Sequence, residues 1–479
     1  MSIGMGLRLL ETLTSALYED PIVFFREYVQ NSADAFTRHP VTNARIDIKI
    51  DKKNKKIVFL DNGYGIPKKD FIDKMTSIGK SDKSKAIDQI GFRGIGRLAA
   101  MAFCKELIFK NKVENEEEIQ VFSWDGEKYN TLLSQSETDD LESAIEQITQ
   151  KSILKYEGNI SDHFFKVELV SYRTEIEELV NGKDFKQNLC RLLPLKYADS
   201  FEAKKSIHSH YEKFMGESLE KYEFDVYLDN EQLYKPYSEA HILESDVVFW
   251  DLSFEQLSEE VPAEKIGVLW FTFNRKVSSN PANSPRGIFV RSKNMLLGNE
   301  YAIADSVSKG NNDYVTTYRE LTQTLNGVYG ELLIDTQRLS DNARRDWFKI
   351  DLNSNQLRVI LTDYLKKLTT YRRDASAAFN DKKAESKRTK VINSYRELTG
   401  GFDTKQFERD FYSPEPEKEE KIFQYANDDI PRHSITAKKF YDEIVIALKE
   451  YFIKTDADKG IEKFLKIRTY LKHKLNDKN

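Results

Sequence analysis

Three polar residues at helical spacing lie near the start of the chain, in the segment FREYVQNSADA of residues 25–35. Glu27, Asn31 and Asp34 are separated by four and three positions, and residues at these separations are neighbours on one face of an α-helix. That face also carries apolar side chains. The spacing therefore allows two interpretations: a functional site, or the solvated edge of an amphipathic helix.

A further carboxylate follows an apolar strand pattern, in the segment DNGYGIP of residues 61–67. Asp61 offers a hydrogen-bond acceptor at the end of the strand, and Gly63 and Gly65 allow the backbone to approach a ligand closely. Taken alone, the same pattern is typical of a tight turn.

A glycine-rich segment, GFRGIGRLAA, contains Gly91, Gly94 and Gly96 and leads into an apolar helical pattern. Unpaired N–H groups at a helix N-terminus and the positive end of the helix dipole favour phosphate binding. A glycine hinge between packed helices is the alternative. The order GxxGxG differs from the dinucleotide fingerprint, and the sequence contains no GxxxxGK[ST] phosphate loop.

The elements around these residues follow an α/β pattern. Periodicity predicts a helix over residues 22–37, strands in RIDIKID, KKIVFLDNG and FFKVELVSY, and a strand around ELIFKN or EIQVFSW. Strands in EFDVYLD, IGVLWFTFN, RGIFVRSKN and YGELLID predict a second α/β domain. Helical spacing follows, with a proline- and glutamate-rich linker at residues 413–421. We expect domains at 1–180 and 181–350, and a helical region at 351–479.

Composition narrows the classes of function. A chain of 479 residues is too long for one core, and a net charge of −5 gives no global attraction to nucleic acid. Cys104 and Cys190 cannot form a disulfide framework or a four-cysteine metal site. The sequence opens without a secretory signal and has no apolar run of ~20 residues, so we expect a cytoplasmic protein without a membrane segment.

Taken jointly and in this order, EYVQNSADA, DNGYG and GFRGIG resemble the motifs ExxxNxxDA, DxGxG and the glycine lid of the GHKL superfamily. Its members include gyrase, the ninety-kilodalton heat-shock chaperone, histidine kinases and MutL. The resemblance covers residues 22–110 and implies a Bergerat-type α/β sandwich that binds ATP, followed by an α/β transducer domain.

Two segments indicate a branch of the superfamily. SIGKSDKSK, residues 77–85, is similar to the lid of heat-shock chaperones and MORC proteins, and GFRG also resembles the MutL motif. We expect the kinase branch not to apply, because residues 1–20 leave no room for a phosphoacceptor domain.

The resemblance implies a role for each motif residue. Glu27 would act as the general base for the attacking water, Asn31 would bind Mg²⁺, and Asp34 would contribute near the rim of the nucleotide. Asp61 would accept a hydrogen bond from the adenine amino group. The remaining nucleotide-binding positions would be Gly63, Gly65, Lys80, Ser81, Gly91, Gly94, Ile95 and Gly96. Lys80 has a plain alternative as a solvated loop charge.

One element departs from the chaperone pattern. Heat-shock chaperones carry a Gly-Thr pair on a late strand of the pocket, whereas HFFKVELV has Phe164 and Phe165 at the equivalent place. That contact to the nucleotide is therefore expected to differ.

The segment GELLIDTQRLSDNARRDWF, residues 330–348, resembles the transducer loop of MORC proteins and, more loosely, that of heat-shock chaperones. The resemblance makes Arg344 and Arg345 candidates for stabilising the transferring phosphoryl group. An exposed turn with solvated charges is the alternative.

These features predict an ATP-hydrolysing conformational clamp that closes its lid, dimerises and acts on a protein client. A DNA-stimulated ATPase of the MORC or MutL kind is an alternative, with the lysines and arginines of residues 366–396 on the DNA. A solvated charged face is the plain interpretation of that run. A non-hydrolysing assembly scaffold is the third possibility.

Overall fold

The chain forms two compact units, Met1–Thr404 and Lys405–Asn479. The computed structural model describes residues 20–76, 96–134, 141–237, 247–256, 262–273, 286–308, 318–342, 345–380 and 385–400, all of them in the first unit. The predicted linker at residues 413–421 lies outside the described residues. No helix in the described part is long and apolar enough to span a bilayer.

An eight-stranded sheet forms the first layer of the fold. Its strands are β1 Arg45–Asp51, β2 Lys56–Asp61, β3 Cys104–Lys112, β4 Glu118–Asp125, β5 Thr149–Lys155, β6 Phe164–Tyr172, β7 Asp225–Leu228 and β8 Glu231–Gln232. The spatial order is β5-β4-β3-β6-β2-β1-β7-β8. β1 and β7 run parallel, and the other neighbours are antiparallel.

The second sheet has five strands: β9 Val248–Phe254, β10 Glu264–Phe273, β11 Gly287–Ser292, β12 Met295–Leu297 and β13 Val328–Ile334. Their order is β12-β11-β13-β10-β9, and every residue of the central β13 is buried. β11 and β13 run parallel, and the remaining pairs are antiparallel. The α/β class predicted for both parts is confirmed.

The α-helices of the described residues are α1 Ile22–Arg38, α2 Lys68–Thr76, α3 Gly126–Ser134, α4 Leu141–Ile148, α5 Thr174–Asn181, α6 Phe185–Leu192, α7 Lys204–Met215, α8 Ala302–Ser308, α9 Tyr318–Leu325, α10 Leu352–Asn380 and α11 Glu385–Thr399. Two short 3₁₀ turns, Gly96–Leu98 and Met101–Phe103, lead into β3. Helices α10 and α11 lie in the region 351–479 that is predicted to be helical, and residues 401–479 of that region lie outside the described residues.

The residues at its two ends explain where helix α1 begins and where it ends. The Asp20 carboxylate accepts the Ile22 N–H at 3.0 Å, and the helix ends at Arg38, two residues before Pro40. Its buried Phe24 and Phe25 contact Phe59 of β2, with ring centroids 6.1 and 5.4 Å away. Burial of such rings contributes about 1.5–3 kcal/mol each. This packing offsets the cost of burying polar side chains on the same helix.

One strand lies in a different sheet from the one predicted. The sequence analysis assigns EFDVYLD to the second domain, but β7 pairs with β1 of the first sheet, with Val226 opposite Ile46. Parallel pairing requires a long crossover connection, and here helices α2 to α7 lie between the two strands in the chain. The local strand pattern does not encode which sheet the strand joins.

The two C-terminal helices of the described part pack against the second sheet. The Trp250 indole of β9 donates to the Leu398 carbonyl at 2.8 Å, and Trp250 also lies against Tyr364 of α10, with centroids 4.3 Å apart. The basic run of residues 366–396 falls on these helices. Arg372 is inserted beside Gly327, and burial lowers its pKa, whereas Lys366, Lys367, Arg373, Arg388, Lys390 and Arg396 are exposed.

Candidate nucleotide-binding site

Helix α1 supplies the first group of the candidate site. Glu27 is 4% exposed and Asp34 is 1% exposed, whereas Asn31 between them is half-buried. The three residues share the predicted helix face, and that face is directed into the protein rather than along a solvated edge. Asp34 is buried more deeply than expected for a residue at the rim of the nucleotide.

The Asp61 carboxylate lies beneath α1 because side chains alternate along a strand. Ile57 and Phe59 of β2 are buried, so Asp61 points to the same face. Ser32 of α1 donates to Asp61 Oδ2 at 2.6 Å, and the Gly63 N–H donates to Oδ1 at 2.9 Å. Burial raises the pKa of Asp61 to about 6, and these hydrogen bonds oppose that rise only in part.

The turn after Asp61 requires its glycines. Gly65 has a φ of +72°, and a Cβ atom there would lie 2.6 Å from Asn111 Oδ1. A Cβ atom on Gly63 would lie 2.8 Å from Asp61 Oδ1. Both positions therefore exclude side chains, and the backbone of the turn is left open to close approach.

Of the three glycines in the glycine-rich segment, Gly96 alone lies among the described residues. A Cβ atom at Gly96 would lie 2.1 Å from Glu27 Oε2, so the absence of a side chain admits the glutamate. Tyr28 of α1 binds the next turn, because its hydroxyl donates to the Arg97 carbonyl at 3.1 Å and accepts the Ala100 N–H at 3.3 Å. Lys80, Ser81, Gly91, Gly94 and Ile95 lie outside the described residues.

Arg345 lies close to Glu27 of α1, although in the chain it follows β13 of the second sheet. Its Nη1 lies 2.9 Å from Glu27 Oε1 and also donates to the Gln30 amide oxygen. The Arg345 side chain is 12% exposed. Arg345 therefore does not lie on an exposed turn with solvated charges, which is the alternative interpretation of the sequence. Arg344 lies outside the described residues, so its position relative to Glu27 stays a prediction.

A short hairpin holds Arg345 in place. Asp341 bridges Phe348, and the Asn342 N–H donates to the Trp347 carbonyl at 2.9 Å. Arg345 has a φ of 55°, a left-handed conformation that is uncommon for residues other than glycine. The Gly298 N–H donates to the Arg345 carbonyl at 3.0 Å, which ties the hairpin to the end of β12.

Strand β6 lies directly beside the carboxylate strand. Phe165 is opposite Asp61 in the register, and Phe164 is the next residue toward the strand end. The strand of HFFKVELV therefore lies beside β2, and its two phenylalanines stand at the end that carries Asp61.

Several polar residues of this region are not predicted from the sequence. Ser32, Gln30, Asn111 and His163 contact the motif residues directly; His163 Nδ1, for example, lies 3.0 Å from the Gly63 carbonyl oxygen. Ser32 and Gln30 stand inside the motif EYVQNSADA, where their positions on the helix offered a signal. Asn111 and His163 are distant in sequence, and no local pattern marks them.

A family model described as histidine kinase-, DNA gyrase B- and HSP90-like ATPase matches residues 23–154. This range contains α1, the Asp61 turn and Gly96. The resemblance of this part of the chain to the GHKL superfamily is confirmed.

Curated relatives are chaperone proteins HtpG. The HtpG of Sulfurovum sp. (strain NBC37-1) is 27% identical over 142 residues, which cover 25% of this chain and 23% of the relative. The HtpG of Acinetobacter baylyi is 35% identical over 86 residues, 15% of this chain and 13% of the relative. The chain thus spans less than a quarter of the length of these relatives, and the part that matches is similar to heat-shock chaperones.

Among solved structures, the ATPase region of Saccharomyces cerevisiae topoisomerase II bound to ICRF-187 is 12% identical, with a TM-score of 0.40. The match covers 72% of this chain and 85% of that one. The ATPase and transducer domains of topoisomerase II from Balamuthia mandrillaris are 14% identical, with a TM-score of 0.39, over 75% of this chain and 85% of that one.

Proposed function

We propose that the protein is an ATP-hydrolysing conformational clamp, in which the second α/β domain reports on the nucleotide bound by the first. One observation carries the proposal: Arg345, from the hairpin after β13, lies 2.9 Å from Glu27, the base expected in the GHKL motif. A cation beside the base is placed to meet charge that develops on the γ-phosphoryl group during transfer.

The nucleotide would be held by groups that fit its chemistry. The Asp61 carboxylate, fixed by Ser32 and the Gly63 N–H, would accept a hydrogen bond from the adenine amino group. The open backbone at Gly65 would allow the ring to approach closely. Asn31, half-buried one turn after Glu27, would offer its amide oxygen to the magnesium ion that accompanies the phosphates.

Glu27 would take a proton from the water that attacks the γ-phosphorus. The new P–O bond forms as the bond to the β,γ-bridging oxygen breaks, so the products are ADP and phosphate. Arg345 would stabilise the transferring group, and its contacts to Glu27 and Gln30 hold the guanidinium close to α1 before and after transfer.

The proposed clamp mechanism follows from the position of these groups beside different sheets. Because Arg345 follows β13 of the second sheet and Glu27 lies on α1 beside the first, a nucleotide that draws Arg345 to its γ-phosphate would change how the two sheets are held together. We propose that this change promotes homodimerisation and acts on a protein client.

Pre-steady-state ATP turnover of the Arg345→Ala variant tests the proposal. We expect kcat to fall by about 10³-fold, within the range observed for arginines that stabilise phosphoryl transfer, while the ATP Kd changes by less than about tenfold. Arg319→Ala, an exposed arginine on α9, is the matched control and should turn over ATP like the wild type. A wild-type kcat in the Arg345→Ala variant would contradict the proposed coupling of the second sheet to the nucleotide site.

The same assay separates the alternative classes of function. A protein-directed clamp predicts turnover that is indifferent to DNA, whereas a DNA-directed clamp predicts stimulation that weakens steeply with salt. The exposed lysines and arginines on α10 and α11 are the groups to neutralise in the second case. Wild-type protein that binds ATP without any turnover would favour the assembly scaffold instead.

A further inference from the structure

A buried amide pairs with the backbone of the turn that carries the adenine-binding groups. Asn111, at the end of β3, is 1% exposed. Its Oδ1 accepts the Ile66 N–H at 2.8 Å, and its Nδ2 donates to the Ile66 carbonyl at 2.7 Å. This two-point contact satisfies both polar backbone groups of one residue, as a neighbouring strand would.

A second amide fixes the first. Gln120 is directly opposite Asn111 in the β3–β4 register, and Asn111 Nδ2 also donates to Gln120 Oε1 at 3.0 Å. Reversing the Asn111 amide would place its oxygen against two acceptor oxygens, so Gln120 and Ile66 together select one orientation. Gln120 Nε2 in turn donates to the Lys68 carbonyl at 3.0 Å.

These contacts span the junction between the Asp61 turn and α2. Gly65 keeps its φ of +72° directly against Asn111 Oδ1, and α2 begins at Lys68, whose carbonyl Gln120 holds. On the other side of the turn, His163 lies 3.0 Å from the Gly63 carbonyl oxygen. The path of residues 63–68 is therefore set by side chains from β3, β4 and the loop before β6.

We propose that Asn111 is a positioning residue for the nucleobase, oriented by Gln120. It fixes the distance between the Asp61 carboxylate and the Gly65 backbone, the two groups that would contact adenine. The inference rests on the proposed function and assigns a role to residues outside the motifs of that function. Both amides contact the turn and the start of α2, on the side of the groups assigned to adenine, so the pair would act on binding of the base rather than on transfer.

Because Asn111 would act on binding of the base and not on transfer, we expect the Asn111→Asp variant to change the ligand Kd values and not kcat. The substitution keeps the acceptor for the Ile66 N–H and removes the donor to the Ile66 carbonyl and to Gln120. We expect the Kd values of ATP, ADP and adenosine to rise by the same factor, about tenfold or more, because all three carry the base. At saturating ATP, kcat should stay within about twofold of the wild type.

Isothermal titration with ATP, ADP and adenosine, together with steady-state turnover, provides the test. Gln120→Leu should weaken binding in the same pattern, and it carries the test by itself if Asn111→Asp does not fold. Asn130→Ala removes a half-buried amide that bonds only within α3, to the Gly126 carbonyl, and serves as the control.

The outcomes distinguish this inference from the proposed function. Equal binding of all three ligands by wild type and folded variants, or a fall in kcat without a rise in Kd, overturns the positioning role. A wild-type protein that binds none of the three ligands overturns the proposed function and, with it, the inference.

Discussion

At the scale of single residues, Asp61 has an unusual protonation equilibrium for a carboxylate that must accept a hydrogen bond. Burial raises its pKa to about 6 from 3.8. Because the folded-state value is the higher one, the stabilising contribution of neutral Asp61 is complete below pH 3.8 and is lost as the pH rises through about 6. Binding of adenine requires the opposite, ionised form.

Nucleotide affinity should therefore depend on pH in the direction opposite to fold stability. We expect the ATP Kd to be constant above pH 7. Below pH 6, as Asp61 takes up a proton, the Kd should increase by up to about tenfold for each unit of decrease in pH. Titration calorimetry between pH 5 and 8 measures this. Asp61→Asn should bind ATP weakly at every pH, and an unchanged slope in that variant would assign the pH dependence to another group.

Glu27 provides a second prediction at this scale. Replacement by alanine removes the proposed base without removing any group assigned to the adenine, so kcat should fall by about 10²- to 10⁴-fold while the ATP Kd changes little. Phosphate release measures the rate. Glu127→Ala, at an exposed glutamate paired with Lys105, is the control. Unchanged turnover in Glu27→Ala would contradict the catalytic assignment.

At the scale of elements, the hairpin formed by residues 341–342 and 345–348 determines where the Arg345 guanidinium lies. It is anchored to the residue after β12, since the Gly298 N–H donates to the Arg345 carbonyl. Gly298 has a φ of +65°, and a Cβ atom there would lie 2.6 Å from the Asp346 carbonyl oxygen. The hairpin can therefore sit this close only because position 298 has no side chain.

Gly298→Ala should displace the hairpin and with it Arg345. We expect kcat to fall toward the value of Arg345→Ala, because the side chain remains but its place beside Glu27 is lost, while the ATP Kd is largely retained. Gly216→Ala is a matched control, since Gly216 also has a positive φ, of 81°, but no atom lies within 4 Å of its added Cβ. A normal kcat in Gly298→Ala would show that the hairpin position is not critical.

At the scale of the whole described unit, a buried ionic cluster joins the two sheets. Glu331 of β13 is fully buried, binds Lys235 Nζ at 2.8 Å and also pairs with Arg291. Arg291 Nη2 donates to the Arg191 carbonyl at the end of α6, 2.9 Å away. Burial would raise the pKa of Glu331, but the charges of Arg291 and Lys235 outweigh it and lower the pKa to about 2.

Loss of this carboxylate should destabilise the protein strongly. Glu331→Gln leaves two buried cations without their counter-charge, so we expect the free energy of unfolding to fall by about 3–5 kcal/mol in urea denaturation. Glu177→Gln, which breaks an exposed pair with Lys55, should leave the free energy of unfolding almost unchanged, because solvent screens exposed ion pairs. Because the folded-state pKa of Glu331 is depressed, its contribution is complete above pH 4.5 and is lost as the pH falls through about 2.

Much of the site follows from local spacing. The separations of Glu27, Asn31 and Asp34 place them on one helix face, and the alternation of β2 turns Asp61 toward that helix. Because 3.6-residue and two-residue periods are properties of short segments, the motif residues and the elements that carry them can be predicted from local sequence.

The tertiary structure decided the contacts between distant segments. Gln30 and Arg345 meet across 315 positions of the chain, Asn111 pairs with the turn at Ile66, and β7 joins the first sheet rather than the second. Strand pairing and side-chain contacts of this kind depend on which surfaces the whole fold brings together, and no local period encodes that choice.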